Sequence, residues 1–318
     1  MNLRIGSRGS QLALWQAEHI AGLLRGQGHS VEIEIIKTTG DRLQDISFVQ
    51  VGSKGMFTKE IEEALAEGRI DLAVHSLKDL PTALPGPFTL AATPPRADAR
   101  DVLVSIHHTD LASLPTAARV GTSSERRRAQ LKSLRPDIDA VEFRGNVDTR
   151  LRKLSEGQVE AILLAAAGLD RLGRTDWIRE RLDPKEFCPA AGQGALAIET
   201  RKGDRATIDA VAFLDDADTR FAVTAERAAL EALGGGCQVP IGIHCRPSFS
   251  SPSGDGEWEI FAVVAAPHNG AAVRVHHRLE TSEMQNEMDA GALGRLVATI
   301  LIEAGAAPLL SHLSEAPR

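Results

Sequence analysis

Short apolar runs that read as strands alternate with amphipathic helical runs, and a polar cluster follows almost every strand. Residues 3–7 read as a strand, and residues 11–25 as a helix with Ala13, Ala17, Ile20 and Leu24 on one face. Val31, Ile33 and Ile35 alternate with Glu32 and Glu34, the pattern of a half-buried strand. Thr58 is placed to cap a helix that carries Ile61 and Leu65 and stops at Gly68, and residues 70–75 form the next strand. Alternation of this kind builds a mostly parallel α/β sheet. Pro81, Pro85, Pro87, Pro94 and Pro95 mark a loop-rich crossing into a second series. Its strands are expected at 102–105, 119–121, 138–143 and 159–164, its helices at 125–133 and 147–154. A further strand at 195–200 precedes a helix reaching about Leu214. From Asp218 the character changes to a long helix at 219–233 and three glycines. Strands near 239–244, 258–265 and 273–278 and a helix near 290–303 follow. The expected fold class is α/β, with two lobes, an interdomain cleft and a smaller C-terminal α+β unit. The expected divisions are 1–95 with 195–214, then 100–190, then 218–318.

The polar clusters at 7–10, 75–79, 122–127 and 144–146 all fall just past strands. Open parallel sheets bind ligands outside the carboxyl ends of their strands, so two facing rims would line a cleft with these groups. Arg8, Lys54, Lys78, Arg126, Arg127, Arg144, Arg150 and Arg171 lie in or beside such positions. Arginine forks match carboxylates bidentately, so the cleft calls for a ligand with several carboxylates or phosphates. Arg126 to Arg128 read equally well as a solvated helix face. Gly52-Ser53-Lys54-Gly55 lacks the spacing of a nucleotide loop and reads as a lid bringing Lys54 to an anion. Asp79, beside Lys78 and before Leu80-Pro81, is a carboxylate able to stay ionised and exchange protons, or else a helix cap. His75 is expected to pack and hydrogen-bond.

Cys237 follows three glycines, a setting that exposes a thiol at a loop tip, whereas Cys188 and Cys245 are expected to pack. Three cysteines make neither a disulfide framework nor a CxxC site, and the ten histidines show no HExxH spacing, so no metal is expected. A net charge of −7 and 4% aromatic residues argue against nucleic acid as partner. Apolar runs such as 161–167 are too short for a bilayer, and residues 12–15 have no signal-peptide core, so a cytoplasmic protein with no membrane partner is expected.

Several segments resemble the porphobilinogen deaminase (hydroxymethylbilane synthase) family. They are RIGSRGSQLALWQA at 4–17, VGSKGMF at 51–57, AVHSLKD at 73–79, VGTSS at 120–124 with Arg126 and Arg127, and RGNV at 144–147. The stretches 163–173, 189–195 and 235–242 continue the match in the same order. Beyond about residue 245 only the general character agrees. Ser53, Asp148 and Gly234 depart from the usual pattern, with Asp148 placing a negative charge near Arg144 and Arg150.

The resemblance implies two periplasmic-binding-protein-like lobes and a third domain. It implies a dipyrromethane cofactor, self-assembled from substrate and thioether-linked to Cys237. It also implies stepwise condensation of four porphobilinogen molecules with loss of ammonia, then hydrolytic release of hydroxymethylbilane. Asp79 would be the catalytic carboxylate. Ser76, Lys78, Asp79, Thr122, Ser124, Arg126, Arg127 and Gly145 would hold the cofactor. Arg8, Ser10, Lys54, Arg144, Arg150, Arg171 and Gln193 would hold substrate. A monomer handing its product to uroporphyrinogen-III synthase is expected. Two rival readings are a non-catalytic two-lobed binder of a polycarboxylate anion and a phosphate-group transferase using Lys54. The second is disfavoured by the incomplete loop.

Overall fold

The computed structural model describes residues 1–39, 58–235, 239–248, 257–267, 269–279 and 289–310. The first lobe starts with β1 (Asn2–Ser7), α1 (Gln11–Gly26), β2 (Ser30–Ile35), α2 (Lys59–Ala66), β3 (Leu72–Ser76) and β4 (Phe88–Ala92). The second holds β5 (Asp101–Ser105), β6 (Arg119–Gly121), α3 (Glu125–Leu134), β7 (Asp139–Val141), α4 (Val147–Ser155), β8 (Ala161–Ala165), α5 (Ala166–Arg171) and β9 (Ile178–Arg181). The chain returns to the first sheet as β10 (Leu196–Arg201). It continues through α6 (Arg205–Val211), α7 (Ala217–Ala232), β11 (Ile241–Pro247), β12 (Trp258–Ala265), β13 (Ala272–Leu279) and α8 (Ala290–Leu301).

The two large sheets share one plan, β2-β1-β3-β10-β4 and β7-β6-β8-β5-β9. In each, three strands run parallel and the fourth runs antiparallel to both its neighbours. The mostly parallel sheet expected from the alternation therefore holds only for β1 to β3 and β6 to β8. The strands that reverse, β10 and β5, are those through which the chain passes between lobes. The edge strands β4 and β9 escape the sequence reading. Pro85 and Pro87 precede β4, and proline is tolerated at a sheet edge because no ladder donor is needed there.

Side chains at the strand ends also start the helices. Ser10, Ser124 and Asn146 cap α1, α3 and α4 by accepting from the N–H groups of Ala13, Arg127 and Thr149. Helix α1 buries Ala17, Ile20, Ala21 and Leu24 against Leu3, Ile5, Leu72 and Val74, the face expected from its periodicity. In the third domain α7 and α8 cover a three-stranded antiparallel meander. The helical stretch Ala290–Leu310 is long and apolar enough by composition to cross a membrane. Here Leu293, Val297 and Leu301 of that stretch are buried in the domain core, and Gly305 (φ 99°) kinks it.

Two buried carboxylates tie the units together. Glu226 on α7 accepts from Arg96 Nη1 at 2.6 Å and Nη2 at 3.1 Å, from Gly192 N at 2.7 Å and from Cys245 N at 2.8 Å. It thereby joins both interlobe crossings to β11. Burial alone would raise its pKa, but the Arg96 charge and the His244 bond outweigh that and hold it below the usual carboxylate range. Asp101, the first residue of β5 and fully buried, accepts from Arg126 Nη1 at 2.6 Å, Arg127 Nε at 2.9 Å and Gln193 Nε2 at 3.0 Å.

Asp101→Asn leaves two buried guanidiniums without their counter-charge, so it should cost about 3–5 kcal/mol. That loss should read as a lower urea midpoint with an unchanged slope; an unchanged midpoint would mean the arginines are solvated. A Cβ on Gly294 would lie 2.2 Å from the Ala225 carbonyl oxygen, so Gly294→Ala should pry α8 from α7. The expected loss is about 1–3 kcal/mol, measured by the same titration.

Candidate active site

The cleft between the two large sheets has a volume of about 330 Å³ and is lined from both rims. Arg8 and Ser10 come from the end of β1, Ser76, Lys78 and Asp79 from the end of β3, and Ser123 from the end of β6. Residues 144–148 follow β7, and Arg150 and Arg171 project from α4 and α5. The N-terminal turns of α1 and α4 border the same space, adding the positive ends of two helix dipoles.

Asp79 ends a single 3₁₀ turn, Leu77–Asp79, directly after the central strand β3. Leu77 and Leu80 anchor that turn in the core, and Leu77 N donates to the Ala195 carbonyl at 3.0 Å. Gly192 (φ +73°) packs against it, and a Cβ there would sit 3.0 Å from Leu77 Cγ. The backbone is thus pinned while the Asp79 side chain stands exposed at the cleft wall.

Six cationic side chains among the described residues line the cleft: Arg8, Lys78, Arg127, Arg144, Arg150 and Arg171. Arg127 leans back on Asp101 and donates through Nη1 to the Leu163 carbonyl at 3.1 Å. Arg144 Nε meets Glu142 Oε1 at 2.6 Å. Arg150 Nε donates to the Gly145 carbonyl at 2.8 Å, and Arg171 Nη2 to the Gly194 carbonyl at 2.7 Å. Among the described residues neither Arg150 nor Arg171 has a carboxylate within ion-pair distance. Burial, with the Arg127 charge added, lowers the Arg150 pKa to about 10, and burial lowers that of Arg171 to about 10. Burial and then the Arg127 charge press the Lys78 ammonium down to about 8. Its Nζ donates to Gln193 Oε1 at 3.3 Å, while Gln193 Nε2 donates to Ala99 O at 2.7 Å and to Asp101.

The structure thus brings together Arg8, Ser10, Ser76, Lys78, Asp79, Arg127, Arg144, Gly145, Arg150 and Arg171. Thr122, Ser124, Arg126 and Gln193 stand behind that lining. Thr122 is buried, Ser124 caps α3, Gln193 holds Lys78, and Arg126 engages Asp101 and, at 2.6 Å, the Cys188 carbonyl. Lys54 and Cys237 lie outside the described residues. The solvated-face reading of the arginine triplet fits Arg128 alone, which meets Glu142 at 3.0 Å, because Arg126 and Arg127 are buried. His75 is buried with Nε2 at 3.0 Å from Glu199 Oε2. Cys188 and Cys245 are buried, and burial pushes both thiols up.

Sequence reasoning missed Asp101, which organises the arginines; Ser123, inside the expected cluster at 122–127 but given no role, donates through Oγ to the Phe143 carbonyl at 2.8 Å. The available signal was a lone carboxylate heading the otherwise apolar Val102-Leu103-Val104.

Residues 3–209 match the family model described as "Porphobilinogen deaminase, dipyromethane cofactor binding domain". Residues 220–303 match the one described as "Porphobilinogen deaminase, C-terminal domain". The porphobilinogen deaminase of Nitratidesulfovibrio vulgaris (strain Miyazaki F) is 47% identical over 314 residues, covering 98% of this chain and 96% of the relative. That of Roseiflexus castenholzii is 47% identical over 312 residues, covering 98% and 99%. Among solved structures, the methionine binding protein MetQ aligns with a TM-score of 0.44 at 11% identity, over 71% of this chain and 94% of that one. The last is too distant to inform the ligand, whereas the sequence matches run through both lobes and the third domain. The chain belongs to the porphobilinogen deaminase family.

Proposed function

We propose that the interlobe cleft is where this enzyme joins four porphobilinogen molecules head to tail onto a dipyrromethane tethered at Cys237, then releases hydroxymethylbilane by hydrolysis. The observation that carries this reading is the set of cleft arginines, above all Arg150 and Arg171, which are half-buried and, among the described residues, bonded to carbonyls, with the Trp15 ring beside Arg171, and have no carboxylate within ion-pair distance. Acetate and propionate arms supply the anions such a lining lacks. The donor set suits a group bearing several carboxylates, with six cations and two helix N-termini converging on one space.

When bound, the dipyrromethane supplies the pyrrole carbon to which each incoming ring is joined. Arg8, Arg144, Arg150 and Arg171 grip the arms of the rings and set their register, so the reacting carbons meet without a search. Arg127 adds to the grip from the second lobe, and Lys78, with Arg8, from the first. Ser10, Ser76, Ser123 and the Gly145 turn complete the polar lining. Thr122, Ser124, Arg126 and Gln193 keep these groups in place from behind. At each condensation the C–N bond of the monomer breaks, ammonia leaves, a C–C bond forms and the ring carbon gives up a proton. The Asp79 carboxylate accepts from the pyrrole N–H, steadies the positive charge that develops and takes that proton. The sequence resemblance also supports a monomer acting in the cytoplasm and passing its linear product to uroporphyrinogen-III synthase.

Intact-protein mass spectrometry should find the chain heavier than its sequence by two linked pyrrole units, and Cys237→Ala should remove that increment. An unmodified wild-type chain would favour a mere binder of polycarboxylates. Asp79→Asn should keep the increment while turnover falls about 100-fold or more; near-normal turnover would remove Asp79 from the chemistry. Because the Lys78 pKa sits near 8, its charge is present at neutral pH and lost as pH rises through that value. Affinity for porphobilinogen should weaken over the same range, and Lys78→Arg should carry the alkaline fall to higher pH. A fall at the same pH in both proteins would assign it to another group.

A further inference from the structure

We propose that Asp148 binds the aminomethyl nitrogen of the incoming porphobilinogen as an ammonium and so selects an amine leaving group; this rests on the reading of the cleft given above. Two carboxylates line the described cleft against six cations, Asp79 and Asp148. The substrate presents two carboxylate arms and one amine that is protonated at neutral pH. Its ammonium is repelled by every cation that grips the arms, so within a partly desolvated cleft it needs an anion of its own. Asp79 is committed to the pyrrole N–H. Asp148 remains.

Among the described residues the Asp148 carboxylate makes one long ion pair, and it lies in the first turn of α4 without capping it. Asn146, not Asp148, caps α4, accepting from Thr149 N at 2.9 Å. The cation nearest Asp148 is Arg174, with Nη2 3.7 Å from Oδ1, beyond hydrogen-bond distance, and half exposed. The side chain is itself about one-third exposed, 34%, and opens onto the cleft. Asp148 shares the cleft lining with Arg144 and Arg150, so an ammonium at one end of the ring can meet it while neighbouring guanidiniums take the two carboxylate arms. Kept protonated beside Asp148, the nitrogen takes the C–N bonding pair as that bond breaks and departs as neutral ammonia. A hydroxymethyl group in the same place offers no positive charge for Asp148 to hold.

The test compares porphobilinogen with its analogue carrying hydroxymethyl in place of aminomethyl, on the cofactor-loaded full chain. Asp148→Asn should raise the KM for porphobilinogen about tenfold, the worth of one charge-assisted hydrogen bond, and leave kcat/KM for the hydroxymethyl analogue unchanged. Arg174→Met, which removes only the neighbouring cation, should alter neither substrate. Equal losses on both substrates, no loss on either, or the same pattern from Arg174→Met would overturn the proposal. A binding readout gives a second arm. In an Asp79→Asn background, calorimetric affinity for porphobilinogen should fall by the same factor when Asp148→Asn is added, and an unchanged affinity counts against the proposal. Continued turnover in that background would refute the role of Asp79, while the contrast between amine and hydroxymethyl substrates would still decide Asp148.

Discussion

Everything in the cleft depends on the carboxylate of Asp101. It is fully buried, and two guanidiniums and one side-chain amide converge on it. Burial by itself would raise its pKa, yet the charges of Arg126 and Arg127 drive it far below the carboxylate range, so it stays ionised. The net contribution of such a buried group to stability is small, whereas removing one member is costly, because a charge is then left in a medium that cannot solvate it. Its value lies in geometry. Asp101 fixes Arg127 facing the cleft, and it fixes Gln193, which in turn fixes Lys78 on the other lobe. Three chain segments far apart in sequence are thus set relative to one another by one acid group.

Glu226 does the same for the third domain. Its four acceptor contacts reach Arg96 on the outward crossing, Gly192 on the return crossing and Cys245 on β11. The reversal of β5 and β10 follows from this arrangement, since a chain that leaves one sheet to complete another, and later returns, enters each sheet against its parallel strands. The residues that open the route between lobes are therefore also those that brace it. The 3₁₀ turn bearing Asp79 abuts Gly192 directly, so the proposed catalytic carboxylate inherits its position from the same brace.

Much of this was legible in the chain. Periodicity located α1, while Thr58, expected to cap α2, makes no side-chain cap bond there; the polar clusters past the strand ends marked both rims of the cleft, because side chains at those positions have no sheet neighbour to pack against. Cys245 was readable as packed because it ends an expected strand, and Cys188 because it lacks the glycine setting of Cys237. What stayed hidden was partnership across sequence distance. Nothing local to Arg126 distinguishes a guanidinium spent on Asp101, 25 residues upstream, from one aimed at a ligand. The edge strands β4 and β9 are short and rich in polar or flanking proline residues, so their pattern is that of loops, and only pairing with β10 and β5 makes them strands. Gln193 sits among small residues in a turn, and its role appears only when Lys78 is brought beside it.

The contrast between the two layers of positive charge argues for what the cleft awaits. Behind the wall the cations are compensated, Arg126 by Asp101 and Arg96 by Glu226, and at the wall Arg127 shares Asp101. At the wall, Arg150 and Arg171 are held by carbonyl dipoles, and their pKa values sink to about 10 because burial is not matched by an opposing full charge. A depressed basic pKa is a free-energy cost that the folded chain carries while the charge remains in place. Carboxylate arms arriving at those guanidiniums relieve that cost, return the pKa values toward the ordinary arginine range and so couple ligand capture to folded-state stability. A cleft that served only to close the two lobes on each other would gain from placing its own acids opposite these arginines. Leaving that half of the pairing to the ligand makes the cleft a receptor for a polycarboxylate.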